Sequence, residues 1–231
     1  MSDFEFRSFI VGKKPNKLVF FLHGYTSCIE DLLPSIEILK KKLKNTIIVV
    51  PLANMQSERN PLKKQWYPLM DIDPDRKRRK PETSIDDIID IYNKTGVRIS
   101  SVSKDINCFI SKLQKDYNIP DYNTYIMGFS QGAMLAIYSG LTRLNKIGGV
   151  FCFAGIICGK DNLEKEISSK PDVYLFHGTS DLSVQYKTLS YTKKWLDDND
   201  IPWEAIEYND ITHELTEEEM LDAARIINKI A

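Results

Sequence analysis

The strongest structural signal in the chain is the stretch Tyr125-Ile126-Met127-Gly128-Phe129-Ser130-Gln131-Gly132-Ala133-Met134-Leu135-Ala136. Its first residues are apolar and predict a short buried strand, whereas the small and aliphatic residues after Gly132 favour a helix. The glycines on either side of Ser130 mark a turn between the two. A strand that turns directly into a helix is the building unit of an α/β sheet.

The turn itself has the spacing of a nucleophile elbow. Residues 128–132 match the pattern G-x-S-x-G, in which a strained turn lifts the serine hydroxyl clear of the sheet. Glycine is needed on both sides because the incoming strand and the outgoing helix pass close together. The helix begins just after Ser130, so its free N–H groups point toward the place where an oxyanion would form. The pattern alone is short, and a plain strand-to-helix turn remains the alternative.

The rest of the chain alternates strands and helices in the same way. Strands are predicted over residues 4–11, 18–22, 46–50, 147–154, 173–176 and 203–208, and helices over 29–43, 85–92, 96–117, 187–199 and 216–230. This alternation predicts an α/β fold, with a mostly parallel twisted sheet and helices on both faces. The length of 231 residues suits a single domain over residues 1–231. Residues 52–84 hold several prolines and predict an irregular excursion near the rim of the active site.

Composition and charge exclude several classes of protein. The formal net charge is −1, which gives no overall field for nucleic acid or for a membrane surface. The N-terminus lacks a secretion signal, and the longest apolar runs are too short to cross a bilayer. The four cysteines have neither C-x-x-C spacing nor a histidine partner, which favours free thiols in the cytoplasm. We therefore expect a cytoplasmic protein that binds no nucleic acid and does not insert stably into a membrane.

Chain order suggests the partners of the serine. In sheets of this class the acid and then the base follow the elbow. Of the three histidines, only His213 lies in a loop beyond the last strand, so we predict it to be the general base. Asp181 follows a predicted strand and is the expected acid, with Asp210 as the rival. An ordinary surface histidine is the alternative for position 213.

The oxyanion hole needs two N–H donors. One is expected from the backbone of Gln131, directly after the nucleophile. The other is expected from the backbone of Tyr25, in the loop that follows the strand at 18–22, with Gly24 allowing the bend. Such a donor is typically worth about 2.7–4 kcal/mol of transition-state stabilisation.

Taken together, these motifs resemble the phospholipase/carboxylesterase family of α/β-hydrolases, which includes acyl-protein thioesterases. The matching segments run in the family's order from residue 18 almost to the C-terminus: Phe21-Leu22-His23-Gly24-Tyr25, Gln65-Trp66-Tyr67, Gly128-Phe129-Ser130-Gln131-Gly132, Phe176-His177-Gly178-Thr179-Ser180-Asp181 and Thr212-His213-Glu214. The G-F-S-Q-G form is more specific than the bare pattern. This chain departs from the family at Ala133, where a second glycine is usual, and at residues 51–54.

The resemblance implies a serine hydrolase that needs no metal and no organic cofactor and has little or no separate lid. It implies a triad of Ser130, Asp181 and His213, and it places Trp66 along the acyl groove, with a core tryptophan at the sheet edge as the alternative. We expect a carboxylesterase for small-molecule esters with short to medium acyl chains, as a monomer or homodimer. The alternatives are an acyl-protein thioesterase or lysophospholipase for longer chains and, less favoured, a non-catalytic binding scaffold.

The loop over residues 71–82 looks longer than in compact members and carries the basic run Arg76-Lys77-Arg78-Arg79-Lys80. A solvated loop is the default expectation for such a run. A rim that attracts anionic substrates or acidic lipid headgroups is the alternative.

Overall fold

The computed structural model describes residues 4–230 and is built around one large sheet. Its strands are β1 (Phe6–Val11), β2 (Lys17–Leu22), β3 (Thr46–Pro51), β6 (Thr124–Phe129), β7 (Gly149–Phe153), β8 (Val173–Gly178) and β9 (Trp203–Tyr208), and a separate small ladder joins β4 (Met55–Gln56) to β5 (Lys64–Gln65). The helices are α1 (Ile29–Lys42), α2 (Ile85–Asn93), α3 (Gly96–Tyr117), α4 (Gln131–Leu141), α5 (Lys160–Glu166), α6 (Thr188–Asp198) and α7 (Glu217–Ile230).

The large sheet is mostly parallel. Its strand order is β1-β3-β2-β6-β7-β8-β9, and only β1 at the edge runs antiparallel to its neighbour. β6 is therefore the central strand, and the turn that follows it lies at the middle of the carboxyl edge of the sheet. Ligand sites of open α/β sheets form at this edge.

Helices cover both faces of the sheet, as the sequence predicted. The alternate side chains of β2 show the division, since Phe20 packs into one buried cluster and Phe21 into the other. α1 and α7 cover the Phe21 face, and α2 to α6 cover the Phe20 face. Burial of the strand on both sides explains why residues 18–22 of β2 are all apolar.

The predicted elements are present within a few residues of their expected bounds. The sequence missed α5 and the small β4–β5 ladder. α5 is mostly charged and buries only Leu163, so it carries no helical period that could be recognised. The irregular excursion over residues 52–84 contains the small ladder and a short 3₁₀ turn at Lys77–Arg79.

Candidate active site

Ser130 occupies a strained turn between β6 and α4. Its backbone φ is 54° and its ψ is −116°, a region that a non-glycine residue rarely adopts. The flanking glycines leave no room for a side chain. A Cβ on Gly128 would lie 2.2 Å from the carbonyl oxygen of Gly132, and a Cβ on Gly132 would lie 2.2 Å from that of Leu22. Close packing of strand against helix therefore fixes the turn, and Ala133 is fully buried beside it.

His213 and Asp181 meet this serine although they come from distant parts of the chain. The Nε2 atom of His213 lies 3.0 Å from Ser130 Oγ, and its Nδ1 atom lies 2.7 Å from Asp181 Oδ2. Because a carboxylate accepts hydrogen bonds, Nδ1 carries the hydrogen and Nε2 is left to accept the serine proton. The Phe129 ring lies beside the imidazole, with 4.8 Å between ring centroids.

The Asp181 carboxylate is buried and fully engaged. Its Oδ1 atom accepts the backbone N–H groups of Ser183 and Val184 at 2.7 and 3.0 Å. Its other oxygen faces His213, so the turn after β8 fixes the direction of the carboxylate. The rival residue Asp210 is exposed. The geometry therefore favours Asp181 over Asp210 as the partner of the imidazole.

The other two histidines are buried and bonded to the backbone. His177 donates through Nε2 to the Val184 carbonyl at 2.8 Å, and burial lowers its pKa. His23 contacts the Gly24 carbonyl through Nδ1 and accepts the Ala53 N–H through Nε2, and burial lowers its pKa to about 4. Both are therefore neutral packing residues at the ends of strands.

The two expected oxyanion donors border the same cleft as Ser130. A Cβ placed on Gly24 would lie 3.7 Å from Ser130 Cβ, so the loop after β2 passes directly beside Ser130. Within residues 4–230, the N–H groups of Tyr25 and Gln131 donate to no protein acceptor. Gln131 opens α4, where the first N–H groups have no partner inside the helix.

The side chain of Gln131 has a second role that the sequence analysis missed. Its Oε1 atom accepts the backbone N–H of Trp66 at 2.9 Å, and its Nε2 atom donates to the Tyr67 carbonyl at 2.8 Å. This residue therefore ties the excursion over residues 52–84 to the start of α4. The glutamine in the G-F-S-Q-G form was the only signal for this contact.

Trp66 packs against the loop that follows β2 and does not border the cleft. It is only 3% exposed, its Nε1–H donates to the His23 carbonyl at 2.7 Å, and its ring stacks on His23. This position favours the core alternative over a groove-lining role.

The basic run does not form a uniformly solvated loop. Arg78 is buried and forms an ion pair with buried Asp73, with 2.5 Å between Nη1 and Oδ2. Arg78 and Arg79 both border the cleft beside Ser130, whereas Lys77 and Lys80 are exposed. The default expectation of solvated charges is wrong for Arg78, because Asp73 compensates its charge within the core. No pattern in the sequence identified Asp73 as its partner.

The cleft is small. Its apolar walls are Leu69, Tyr92, Met134 and Val184.

A mostly parallel sheet, with a strained serine at the turn after its central strand, is the architecture of the α/β-hydrolases. Within that class, the family described as Phospholipase/Carboxylesterase matches residues 9–231. The chain belongs to this family.

Similar proteins include acyl-protein thioesterases and esterases. Acyl-protein thioesterase 1 of Kluyveromyces lactis is 32% identical over 139 residues, a match that covers 57% of this chain and 60% of that protein. This chain therefore spans less than two thirds of that relative. Acyl-protein thioesterase 1 of Mycosarcoma maydis is 25% identical over 240 residues, covering 95% of this chain and 93% of that protein.

Solved structures share the fold over the full length. The crystal structure of esterase PE8 has a TM-score of 0.85 with 24% identity and covers 100% of both chains. The structure of Zea mays acyl-protein thioesterase 2 has a TM-score of 0.72 with 16% identity and covers 99% of each chain.

Residues 4–230 contain no helix with the length and apolar character needed to span a bilayer. The same residues contain no cluster of three or more histidine, cysteine or acidic side chains arranged to hold a metal ion.

Proposed function

We propose that this chain is a serine hydrolase that cleaves carboxylic esters of short to medium acyl chains through an acyl-serine intermediate. The observation that carries the proposal is the continuous chain of hydrogen bonds from Ser130 Oγ through the His213 ring to Asp181. Ser130, Asp181 and His213 are the proposed triad, and the backbone N–H groups of Tyr25 and Gln131 are the proposed oxyanion hole.

The reaction follows from the positions of these groups. His213 Nε2 takes the Ser130 proton as Oγ attacks the acyl carbonyl, and the two N–H groups bind the resulting oxyanion. The tetrahedral intermediate collapses, and the imidazolium gives its proton to the departing alcohol or thiol. Water then repeats the sequence on the acyl-serine, releasing the acid and restoring Ser130 and neutral His213. Asp181 holds the ring in place and stabilises its transient positive charge.

An active-site fluorophosphonate probe tests the role of the serine. The probe should label the wild-type protein and leave Ser130→Ala unlabelled, and the variant should lose turnover of 4-nitrophenyl acetate. Labelling that persists in the alanine variant would remove Ser130 from the mechanism. Absence of turnover in the wild type would favour a binding scaffold.

Removal of longer fatty acyl groups from proteins or lysophospholipids is the second candidate, supported by relatives named acyl-protein thioesterases. The small cleft beside Ser130 supports short chains instead. The two candidates differ in kcat/KM across a chain-length series of esters and thioesters. A steep loss beyond short chains supports the esterase, and a maximum at long thioesters supports the second candidate.

The location in the cell is also part of the proposal. All four cysteines are free thiols, and burial raises the pKa of Cys152 to about 12. Free thiols, one of them exposed at Cys108, support a reducing compartment, and we propose the cytoplasm.

A further inference from the structure

The cleft beside Ser130 carries a positive charge that ester hydrolysis by itself does not require. Arg78 and Arg79 are the charged side chains among its lining residues, and none of the described residues that line it is acidic. The two arginines follow one another in the 3₁₀ turn Lys77–Arg79 and differ in how their charges are balanced.

The charge of Arg78 is compensated within the protein. Its guanidinium forms the buried ion pair with Asp73, whose oxygens also accept the backbone N–H groups of Lys77 and Arg78. Arg78 is therefore a structural residue that holds the turn together.

Arg79 has no such partner. Its Nε atom is buried without a hydrogen-bond acceptor, and within residues 4–230 its side chain forms no ion pair with a carboxylate. Burial, and then the neighbouring charge of Arg78, lower the pKa of this guanidinium. Three carboxylates contact residues that line the cleft, and each is engaged elsewhere. Asp73 pairs with Arg78, Asp181 binds His213, and Glu58 accepts the Tyr25 hydroxyl and the Leu69 N–H. Arg79 as a whole is only partly buried, and a partly desolvated cation without a counter-ion is stabilised when a ligand supplies one.

The segment that carries Arg79 is also firmly positioned. Gln185 Nε2 donates to the carbonyl oxygens of Arg78 and Lys80 at 2.8 and 2.9 Å. Lys187 Nζ donates to the Thr83 carbonyl at 2.5 Å. These two residues follow the turn that holds Asp181, so the arginine and the catalytic acid are fixed by the same part of the chain.

We propose that Arg79 binds a carboxylate on the substrate, so that the preferred substrates are esters or thioesters bearing a carboxylate within a few atoms of the scissile carbonyl. The proposal rests on the proposed serine hydrolase function and adds its substrate class. The guanidinium offers a planar pair of N–H donors that matches a carboxylate. A carboxylate in the cleft supplies the missing counter-charge.

The carboxylate could belong to the acyl half or to the alcohol half, and matched esters distinguish the two. For the acyl half, mono-4-nitrophenyl adipate is compared with 4-nitrophenyl hexanoate, which has the same chain length and no charge. For the alcohol half, the butyrate ester of 4-hydroxybenzoate is compared with the butyrate ester of 4-hydroxybenzamide, which is neutral. The uncatalysed rate of each ester is subtracted. In the wild type we expect kcat/KM for the anionic ester to exceed that of its neutral partner about tenfold or more in at least one pair, as a charged hydrogen bond implies.

The decisive variant is Arg79→Gln, with Lys77→Gln as the matched control. Lys77 is exposed on the same 3₁₀ turn, does not line the cleft, and loses the same unit of charge. Arg79→Gln should remove the preference, measured within each variant as the ratio of kcat/KM for the anionic ester to that for its neutral partner, whereas the control should keep the wild-type ratio. Arg79→Lys should retain part of the preference for the anionic ester, because the positive charge remains but the paired N–H donors of the guanidinium are lost.

Several results would overturn the proposal. No preference for the anionic ester in either pair would do so, as would an equal preference in wild type and Arg79→Gln. An equal loss of the preference in Lys77→Gln would show that it comes from the overall positive charge of the turn and not from Arg79, which would contradict the proposal. Turnover of neutral esters by the wild type, abolished in Ser130→Ala, would in each case leave the proposed hydrolase function intact. If the wild type turns over no ester at all, the result contradicts both the serine hydrolase function and the binding of a substrate carboxylate by Arg79.

Discussion

At the scale of single residues, the proposed chemistry depends on one imidazole held between two partners. Both nitrogen atoms of His213 are engaged, one by Ser130 and one by Asp181. Asp181 is in turn fixed by two backbone N–H groups. The carboxylate therefore cannot turn away from the ring, and the tautomer of His213 is set before substrate arrives.

We expect Asp181→Asn to lower kcat by about 10³–10⁴-fold with little change in KM, because an amide can present an N–H to the ring and favour the wrong tautomer. Asp210→Asn is the matched control and should keep near wild-type kcat, since Asp210 is exposed and lies outside the hydrogen-bond chain. Steady-state kinetics with a neutral 4-nitrophenyl ester measures both. Equal losses in the two variants would contradict the assignment of the acid.

At the scale of elements, the start of α4 joins three parts of the structure. Ser130 stands at its N-terminus, Gly132 packs against the end of β2, and the Gln131 side chain holds the backbone of Trp66 and Tyr67. The indole of Trp66 then donates to the His23 carbonyl in the loop that follows β2. A change in the Gln131 side chain should therefore reach the active site through the excursion over residues 52–84.

We expect Gln131→Ala to lower the free energy of unfolding by about 2 kcal/mol, because two buried backbone groups lose their hydrogen-bond partners. kcat/KM should fall by less than in Ser130→Ala, since the proposed oxyanion donor is the backbone N–H, which remains. Urea denaturation and ester kinetics measure the two effects. Gln56→Ala, at an exposed position of β4, is the control and should change neither. An unchanged free energy of unfolding in Gln131→Ala would contradict a stabilising role for the hydrogen bonds from Gln131 to the backbone of Trp66 and Tyr67.

At the scale of the whole molecule, two buried groups give stability opposite dependences on pH. Burial lowers the pKa of His23 from 6.5 to about 4. Between these values the unfolded chain binds a proton that the native protein does not, so stability falls as the pH drops. Burial raises the pKa of Glu219 from 4.5 to about 7. Between those values the native protein keeps a proton that the unfolded chain releases, so stability falls as the pH rises.

We expect the His23 contribution to reduce the free energy of unfolding by about 3 kcal/mol from pH 6.5 to pH 4. Replacement by asparagine should reduce the slope of stability against pH by about 1.4 kcal/mol per pH unit in that window. Glu219→Gln should make the slope steeper than in the wild type, because it removes the opposing contribution. Urea unfolding at a series of pH values tests this, and parallel curves for wild type and His23→Asn would contradict it.

The order of strands and helices was largely predictable from periodicity. The uninterrupted apolar run of β2 and the helical spacing along α3 reflect burial, and burial is what these patterns encode. α5 was missed because a short helix with one buried residue leaves almost no periodic signal. The small ladder of β4 and β5 was missed because two-residue strands depend on their partner for any preference.

The candidate site was only partly predictable. The glycines around Ser130 identified the elbow, because the close approach of strand and helix excludes any other residue at both positions. Chain order alone suggested Asp181 and His213. The role of Trp66 remained open in the sequence, because an aromatic residue beside a motif is equally compatible with a groove and with the core.

By itself, the sequence determined the α/β architecture, the turn at Ser130 and the order of its proposed partners, because apolar periodicity and glycine spacing are local properties of the chain. Only the tertiary structure decided that Asp73 neutralises Arg78 while Arg79 borders the cleft without a counter-ion. Five consecutive basic residues are alike in sequence. Their charges become different only when folding fixes the distance from each to a carboxylate and removes the water between them.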